Sequence, residues 1–507
     1  MPNNFFITTP IYYVNDVPHI GHAYTSIATD FIARFKRMSG VDTIFLTGTD
    51  EHGQKIQKAA ENNSIEPLSL CDKNSAKFRE LTEVLNLSND DFIRTTEKRH
   101  IDGAKSLWNK LMDNGDIYLD TYKGWYSVSD ETFYNEKDLN KQQDGSFKTI
   151  TGGPVDWIEE ESYFFKLSKY SEKLLELYEK NSDFILPKSR KNEVVSFVKS
   201  GLRDLSISRN TFNWGINVPK DDRHVMYVWL DALSSYPNSL GYIEDKNSKL
   251  SSYWLNSTHI VGKDILRHHA VYWPAFLMSA KLDLPKRIFA HGWWTNEGNK
   301  ISKSLGNAID PVEIIDKFGL DQIRYFLLRE ITFGSDGDFS TEALKSRINA
   351  DLSNDLGNLC QRSLTMIIKY CNAYIPTNKN ITESDRNFLS RISFELANLT
   401  SHVDNQEINI YIKKIWDIVA SANKYFNDNK PWELKDTNKE NFDNVLYITA
   451  EIIKQLGIMI YPIMPDTSKK ILSFYNMNVK NITLDMLNYD LTGTKMNEVK
   501  PLFPRVE

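Results

Sequence analysis

The sequence has little cysteine and no long apolar run. Only three cysteines, Cys71, Cys360 and Cys371, occur among 507 residues, and no two of them form a CxxC pair. This spacing excludes a disulfide framework and argues against a cysteine-bound zinc site. A run of about 18 apolar residues, as a membrane helix needs, is absent, and so is a secretory leader. We therefore expect a cytoplasmic protein with no membrane partner.

The chain also lacks a strong excess of either charge. Lys and Arg total 61, Asp and Glu total 67, and the formal net charge is −6. This balance excludes a wholly basic nucleic-acid-binding surface, but it leaves local RNA binding open because binding depends on where the charges lie. The length predicts about three to four domains of ~100–200 residues each.

The first fifty residues alternate strand, helix and strand. Apolar and β-branched residues predict strands over Phe5–Tyr13 and Asp42–Leu46, and a helical pattern predicts a helix over Ile20–Met38. This order is typical of a parallel α/β sheet. The rhythm is lost over about 118–223 and returns near His224, with a helix predicted over Asp264–Ala280. This indicates an insertion between two halves of the sheet. From about residue 347 apolar residues recur at helical spacing.

The first segment that suggests chemistry is Pro18-His19-Ile20-Gly21-His22. It falls between the first strand and its helix, where a parallel sheet binds ligands and a helix amino terminus favours anions. His19 and His22 share one side of the helix start, and Gly21 lets a flat ligand approach the backbone. Two imidazoles can donate to phosphate oxygens while charge builds in a transition state. Alone, a capped turn with two surface histidines explains the segment equally well.

The second segment runs from Gly298 to Asn307 and places Lys300, Ser302 and Lys303 between glycines. Lysines reach phosphates as point charges, and loops of this kind often close over a substrate. Alone, an exposed basic turn is an equal alternative. The two segments in this order, with strands between them, are much more specific than either one.

His19-Ile20-Gly21-His22 and Lys300-Ile301-Ser302-Lys303-Ser304 resemble the two signatures of class I aminoacyl-tRNA synthetases, with Ile301 where methionine is usual. The resemblance implies ATP as co-substrate with Mg²⁺, an aminoacyl-adenylate, and transfer to the terminal ribose of a tRNA. It makes His19, His22, Lys300 and Lys303 the expected catalytic residues. The expected ATP-binding residues are His19, Gly21, His22, Lys300, Ser302 and Lys303.

The resemblance also predicts the division of the chain. We expect an α/β protein with a Rossmann-like parallel-sheet catalytic domain, an inserted connective domain, and an all-α anticodon-binding helical bundle. The predicted segments are residues 1–117 and 224–294 for the two halves of the catalytic domain, 118–223 for the insertion, 295–346 for the signature loop and stem-contact region, and 347–507 for the helical domain.

Five further segments resemble the methionine-specific branch of the family: Thr9–Asn15, Gly48–Gly53, Tyr227–Ala232, Gly262–His269 and Tyr272–Ala275. They imply a pocket for L-methionine in which Asp50 holds the ammonium group. A polarizable thioether packs well on aromatic edges, at ~0.3–1.5 kcal/mol per contact. Without these segments, core packing of Trp and Tyr would be the simpler explanation. The expected pocket residues are Ile11, Tyr13, Asp50, Trp229, Ala232, Leu233, Tyr236, Ile265, His269 and Trp273.

The helical domain carries an RNA-binding signal of its own. Asn358 and Arg362 lie four residues apart, on one helix face, and Lys430-Pro431-Trp432 is predicted to be a loop. Proteins read unpaired RNA by stacking bases on aromatics and contacting their edges with Asn or Arg. The resemblance assigns Asn358, Arg362 and Trp432 to the anticodon of tRNA(Met). An ordinary helix bundle with one exposed tryptophan is the alternative.

Two departures from the family add expectations. Relatives often carry zinc-binding CxxC knuckles in the insertion, whereas the corresponding stretch Tyr126–Glu131 has no cysteine, so we predict no structural zinc and no other protein-bound metal. Many relatives also carry a carboxyl-terminal β-barrel that dimerises. This chain stops after the helical domain, so we predict a monomer.

Three alternatives stay open at this point. A class I synthetase for leucine, isoleucine or valine usually carries a large editing insertion, for which 507 residues leave little room, and the cysteine enzyme uses cysteine-based zinc chemistry. A paralogue that holds tRNA without activating an amino acid would not need His19, His22, Lys300 and Lys303. A nucleotidyltransferase with the first signature, such as a pantetheine-phosphate adenylyltransferase, is much smaller.

Overall fold

The computed structural model describes residues 4–128, 130–134, 136–150, 152–296, 309–377, 381–477 and 480–507, and the backbone of residues 299–300. In chain order the strands are β1 (Asn4–Thr8), β2 (Tyr12–Tyr13), β3 (Asp42–Asp50), β4 (Asp91–Arg94), β5 (Ile117–Ser127), β6 (Thr132–Tyr134), β7 (Asn140–Lys141), β8 (Phe147–Lys148), β9 (Asp156–Phe165), β10 (Ile185–Leu186), β11 (Leu205–Ser206), β12 (Ser208–Arg209), β13 (Asn217–Val218), β14 (Asp221–Met226), β15 (Ser257–Gly262), β16 (Arg287–His291), β17 (Trp294–Asn296), β18 (Asn299–Lys300) and β19 (Gly337–Phe339).

The helices follow the same order. They are α1 (Ile20–Met38), α2 (Gln54–Asn62), α3 (Pro67–Val84), α4 (Lys98–Asp113), α5 (Ser171–Lys180), α6 (Lys188–Lys199), α7 (Val228–Ser239), α8 (Trp273–Ser279), α9 (Pro311–Phe318), α10 (Leu320–Arg329), α11 (Thr341–Arg347), α12 (Asn358–Tyr370), α13 (Glu383–Ala397), α14 (Thr400–Asp404), α15 (Ile408–Asn429), α16 (Pro431–Leu434), α17 (Lys439–Met459) and α18 (Pro465–Ser473).

The first compact unit runs to Pro18 and from Thr43 to His291. Its central sheet has the strand order β10-β16-β15-β1-β3-β2, and β4 also pairs with β3. The pairs β10–β16, β16–β15, β15–β1, β3–β2 and β3–β4 are all parallel. Strands such as β1 and β15 are buried along almost their whole length, as expected when both faces of a parallel sheet are covered. This sheet and the mostly helical carboxyl-terminal region confirm the predicted fold class.

Most strands of the insertion in this unit are antiparallel, whereas β10, between α5 and α6, joins the central parallel sheet. Strands β5 and β9 pair over ten residues, and β6 and β11 extend them to a sheet of order β11-β9-β5-β6. Strands β7 and β8 form a hairpin, and β14 pairs with both β12 and β13. Antiparallel strands need no crossover helix, which explains why the sequence shows no strand–helix rhythm here. Of the stretch Tyr126–Glu131, Ser129 lies outside the described residues.

The second unit comprises His19–Asp42 and Gly292–Glu507. Most residues of α1 are buried, including the charged Asp30 and Arg34, so this helix is a core helix. Its Asp30 carboxylate accepts hydrogen bonds from the buried guanidinium groups of Arg34 (2.7 Å) and Arg324 (2.6 Å). A small sheet of order β18-β17-β19 and the helices α9 to α18 complete the unit.

Three predicted elements differ from the observed ones. The first strand divides into β1 and β2, with Pro10 in the break, because proline cannot donate to a ladder. A single helix over 264–280 was expected, but a 3₁₀ turn (Lys263–Ile265) and a π-helical turn (His268–Tyr272) precede α8. Pro274 has no N–H to donate, and the Ala270 carbonyl accepts from the Tyr178 hydroxyl (2.6 Å) instead. The expected loop at residues 430–432 is a left-handed Lys430 followed by the short helix α16.

The described part of the chain contains no helix that is both long enough and apolar enough to cross a membrane.

Candidate active site and RNA-binding residues

Strands β2 and β3 end side by side at the carboxyl edge of the sheet, with Tyr13 paired to Asp50. Asp50 is only 3% exposed, and among the described residues its Oδ1 atom has no hydrogen-bond partner. Burial first, and then the carboxylates of Asp231 and Glu131, raise the pKa of Asp50 well above its ordinary value. A buried carboxylate oxygen without a partner is costly. A ligand ammonium group at this point would satisfy it and lower the pKa again.

Helix α7 supplies one wall beside this edge. Trp229, Ala232, Leu233 and Tyr236 stand at positions i, i+3, i+4 and i+7, so the helix turns all four side chains to one face. Ala232, Leu233 and Tyr236 are buried, whereas Trp229 is half-buried. The sequence spacing alone therefore groups these four expected pocket residues.

A second wall comes from the turns before α8. Ile265, His269 and Trp273 follow one another at four-residue spacing through the 3₁₀ turn, the π-helical turn and the start of α8. The Tyr236 hydroxyl and His269 Nε2 lie 2.7 Å apart, which joins this wall to α7. The ring of Trp229 meets that of His269 edge-on, with centroids 6.1 Å apart.

The protonation state of His269 follows from its partners. Its Nδ1 lies 2.9 Å from the Ile265 carbonyl oxygen, which can only accept, so Nδ1 carries the proton. Nε2 must then accept from the Tyr236 hydroxyl. Burial lowers the pKa of His269 to about 4, so the ring is neutral at physiological pH. Because the Tyr236 hydroxyl donates its proton to His269, its oxygen has no proton left to donate to a ligand. The pocket therefore suits a ligand side chain that does not need a hydrogen-bond donor from the protein.

The structure brings most of the expected pocket residues together. Leu233, Tyr236 and Trp273 belong to one hydrophobic cluster, and Ile11, Tyr13, Trp229 and Ile265 pack against it. His269 joins through Tyr236, and Asp50 through its pairing with Tyr13. The Tyr13 hydroxyl donates to the His52 carbonyl (3.1 Å), which fixes the loop that follows Asp50.

Two groups beside the pocket were missed by the sequence analysis. The buried Asp231 carboxylate lies between His52 Nδ1 (2.7 Å) and His100 Nε2 (2.5 Å). Burial alone would raise its pKa, but the His52 imidazole and the hydrogen bonds from both rings lower the pKa of Asp231 to about 2. Asp231 is the one charged residue in the sequence of α7, and this was the available signal.

The second missed residue is Glu131, from the insertion. It is buried with φ 47°, accepts from the Lys55 N–H (2.9 Å) and the Tyr126 hydroxyl, and raises the pKa of Tyr13 after burial has done so. No pattern in one sequence connects it to Asp50, because it comes from a separate antiparallel layer.

His19 and His22 are in the second unit, at the start of α1. The Gly21 N–H donates to His19 Nδ1 (3.1 Å), and the His19 N–H donates to His22 Nδ1 (3.1 Å). Each neutral ring therefore carries its proton on Nε2, which makes both Nε2 atoms donors. The ring centroids are 3.9 Å apart. A Cβ at residue 21 would lie 2.9 Å from the His19 ring, so glycine permits this cap.

The second signature is described only in part. Lys300 is the last residue of β18, and its backbone pairs with Thr295 of β17. The Lys300 side chain lies outside the described part of the structure. Ser302 and Lys303 lie outside the described residues. Their expected contacts with ATP stay predictions.

The three expected anticodon residues lie on α12 and α16. The Arg362 guanidinium lies 5.5 Å from the ring centroid of Trp432 and 5.4 Å from that of Phe426. Trp432 is 40% exposed, and Asn358 is exposed one helical turn before Arg362. The structure thus brings Arg362 and Trp432, seventy residues apart in sequence, to one surface.

Both parts of the chain match known families. Residues 5–364 match the family of class I tRNA synthetases (M), and residues 375–503 match the anticodon binding domain of methionyl tRNA ligase. A methionine–tRNA ligase of Rickettsia felis is 52% identical over 513 residues, covering 100% of this chain and 99% of the relative. One of Brucella suis is 51% identical over 503 residues, covering 99% and 98%. Mycobacterium tuberculosis methionyl-tRNA synthetase in complex with methionyl-adenylate gives a TM-score of 0.96 at 46% identity, covering 99% of this chain and 100% of that one.

Proposed function

The chain belongs to the methionine–tRNA ligases, a family of class I tRNA synthetases, and from this membership we propose how its residues divide the reaction. The ligase activates L-methionine with ATP to methionyl-adenylate and pyrophosphate, and then transfers the methionyl group to the 3′-terminal ribose of tRNA(Met). The observation that carries the assignment of residues is the buried Asp50 carboxylate, whose Oδ1 has no partner among the described residues.

Asp50 binds the methionine ammonium group, and this contact turns an unfavourable buried charge into an ion pair. The side chain of the ligand lies against α7 and the turns before α8, among the apolar and aromatic groups of Trp229, Leu233, Tyr236 and Trp273. A thioether needs no donor and packs on aromatic edges. Ile11, Tyr13, Ala232, Ile265 and His269 complete the pocket.

In the first step a methionine carboxylate oxygen attacks the α-phosphorus of ATP, and the bond from that phosphorus to the pyrophosphate oxygen breaks. We assign the Nε2 donors of His19 and His22 to phosphate oxygens on which charge builds. Gly21 leaves the backbone open to the nucleotide. Lys300, Ser302 and Lys303 hold the departing pyrophosphate.

Mg²⁺ belongs to this proposal as part of the substrate. Among the residues that the structure describes, no group of three or more His, Cys, Asp or Glu side chains could hold a metal ion. A metal cage built by these described residues alone therefore does not fit. Mg²⁺ is commonly held through substrate phosphates, so it enters with ATP.

In the second step a hydroxyl of the terminal tRNA ribose attacks the methionyl carbonyl, and AMP leaves. Asn358, Arg362 and Trp432 select the tRNA by its anticodon. The exposed Trp432 ring, with Arg362 beside it, suits stacking on an unpaired base.

The primary test is ATP–pyrophosphate exchange with each of the twenty amino acids offered separately. Methionine should exceed the others by orders of magnitude. A preference for another amino acid would leave the fold in place and void the pocket assignment. Trp432→Ala should leave this exchange unchanged and slow tRNA charging, and an equal loss of both would remove the anticodon assignment.

Four further parts of the proposal concern the whole chain. We propose a monomer, which light scattering tests, and no structural zinc, which metal analysis of the purified protein tests. The three free cysteines suit a reducing, cytoplasmic location, which cell fractionation tests. The five-segment division, with boundaries at residues 117, 223, 294 and 346, stays a prediction that limited proteolysis tests.

A further inference from the structure

Tyr370, the last residue of α12, is an exposed aromatic ring between two lysines. It is 37% exposed, and the ammonium groups of Lys369 and Lys435 each lie 5.2 Å from its ring centroid. Neither the methionine pocket nor the anticodon residues Asn358, Arg362 and Trp432 use this group. A ring with cations around it matches the way proteins hold unpaired nucleic acid without reading its sequence.

The group is continuous with the anticodon surface through two segments of the chain. On α12, Lys369 follows Arg362 by seven residues, so it lies on the same helix face, about 10 Å further along the axis. On the other segment, Lys435 follows Trp432 by three residues at the end of α16. Arg362 with Trp432, and Lys369 with Tyr370 and Lys435, are therefore two cation–aromatic groups on the same pair of segments.

The charges around Tyr370 favour a polyanion with flat bases. Two carboxylates are also near. Asp436 lies 3.4 Å from Lys435, and Asp443, which is paired with Lys439 (2.6 Å), lies 3.7 Å from the sulfur of Cys371, the residue after Tyr370. Exposed ion pairs of this kind contribute little, and a phosphate can replace them. The core of a protein interface is depleted of charged residues, lysine in particular, so a surface built on lysines fits RNA better than a protein partner.

We propose that Lys369, Tyr370 and Lys435 form a second contact for unpaired RNA, next to the anticodon-reading residues. A nucleotide of the anticodon loop outside the anticodon stacks on Tyr370, and the two lysines pair with the phosphates that flank it. This proposal rests on the proposed role of Arg362 and Trp432 in anticodon binding.

The first experiment measures the dissociation constant of tRNA(Met) for the full chain and for single variants. Tyr370→Ala should weaken binding about tenfold, the order of loss seen when a stacking aromatic is removed. Tyr370→Phe keeps the ring and should bind as the parent does. Phe394→Ala is the matched control, because Phe394 is a 70% exposed aromatic on α13 of the same unit. ATP–pyrophosphate exchange should be unchanged in all three.

A second experiment identifies the nucleotide and the role of the lysines. An abasic site is placed at each anticodon-loop position in turn, and the loss of tRNA affinity caused by Tyr370→Ala is measured with each tRNA. This loss should disappear for one position outside the anticodon and for no other position. Lys369→Gln and Lys435→Gln should each lower the salt dependence of log Kd by about 0.7. Lys470→Gln, an exposed lysine change on α18, should not.

The outcomes distinguish the Tyr370 contact from the anticodon assignment of Arg362 and Trp432. If Trp432→Ala weakens tRNA binding and Tyr370→Ala does not, the second contact is wrong and the anticodon site stands. If Trp432→Ala has no effect, the anticodon assignment itself is wrong. Loss of binding in Tyr370→Phe as well, or equal loss in Phe394→Ala, would overturn stacking on Tyr370. Should Tyr370→Ala unfold, the two lysine variants decide the matter.

Discussion

At the scale of single residues, the site depends on groups whose polar atoms are held in one state by their neighbours. Backbone N–H groups occupy Nδ1 of His19 and His22, and a backbone carbonyl occupies Nδ1 of His269. The first two rings therefore present donors, and the third an acceptor. This difference in hydrogen bonding suits His19 and His22 to the proposed phosphate site and His269 to the proposed uncharged pocket.

Asp50→Asn should weaken methionine activation and stabilise the free protein. The ion pair with the substrate ammonium is lost, so kcat/KM for methionine should fall at least about thirtyfold, the cost of truncating a buried charge partner. The raised pKa of Asp50 means that its ionised form opposes folding. The folded state therefore binds the Asp50 proton more tightly than the unfolded state does. The loss of folding stability caused by ionising Asp50 grows as pH rises through the folded pKa.

The measurements are pyrophosphate exchange and thermal unfolding across pH. The variant should melt above the parent at neutral pH, and the difference should shrink as pH falls. Asp102→Asn, on the exposed side of α4, is the control. A variant that binds methionine like the parent would contradict the role of Asp50.

Tyr236→Phe should lower stability without changing the pocket's shape. The variant leaves the buried Nε2 of His269 without the hydroxyl that donates to it, and an unsatisfied buried acceptor costs about 1–3 kcal/mol. Urea unfolding measures the change, with Tyr489→Phe at an exposed site as the control. Equal stability of the Tyr236→Phe variant and the parent would argue against the inferred hydrogen bond.

At the scale of elements, buried hydrogen bonds tie together segments far apart in sequence. Asp231 links α7 to His52 after β3 and to His100 on α4. The Tyr178 hydroxyl on α5 donates a hydrogen bond to the carbonyl of Ala270 in the π-helical turn. Both contacts hold pocket-bearing segments in place without belonging to the pocket.

Asp231→Asn should destabilise the protein by about 3 kcal/mol, because it leaves two buried imidazoles without their anion. The folded pKa of about 2 lies below the ordinary 3.8. The stabilisation is therefore fully present above pH ~4 and is lost as pH falls towards 2. Acid unfolding of parent and variant measures this, and their curves should converge at low pH. Curves that stay parallel down to pH 2 would show that the Asp231 charge contributes nothing.

At the scale of the whole molecule, each unit has its own buried core. In the second unit the Arg324 guanidinium donates to Asp30 of α1 (2.6 Å) and to the carbonyls of Pro462 (3.0 Å) and Ile463 (2.9 Å). It thus joins α1, α10 and the connection between α17 and α18.

Arg324→Met should destabilise this unit by about 3–5 kcal/mol, because it leaves Asp30 with one partner fewer and two carbonyls unsatisfied. Calorimetry of the full chain measures the loss. Arg386→Met, at a more exposed arginine on α13 that bonds one carbonyl, is the control. Equal melting of both variants would show that the Arg324 network is dispensable.

Much of the fold followed from patterns that are local in sequence. Helix α1 begins and ends where its periodicity predicted, at Ile20 and Met38. The prediction of one helix over 264–280 was wrong because Pro274 has no N–H to donate to the Ala270 carbonyl. That carbonyl accepts a hydrogen bond from the distant Tyr178 hydroxyl instead. The loop expected at residues 430–432 was wrong because Pro431 can also begin a helix.

The sequence by itself determined the two signatures, the strand–helix–strand start, and the spacing that puts Trp229, Ala232, Leu233 and Tyr236 on one face of a helix. These depend on residues within a few turns of one another. Tertiary structure alone decided which polar groups are buried without a partner and which distant groups meet. Three features of the described residues depend on packing between distant segments: the Oδ1 of Asp50 without a hydrogen-bond partner, the contact of Asp231 with His52 and His100, and the meeting of Tyr370 with Lys435. The contacts join residues 65 to 179 positions apart, which local propensity does not encode.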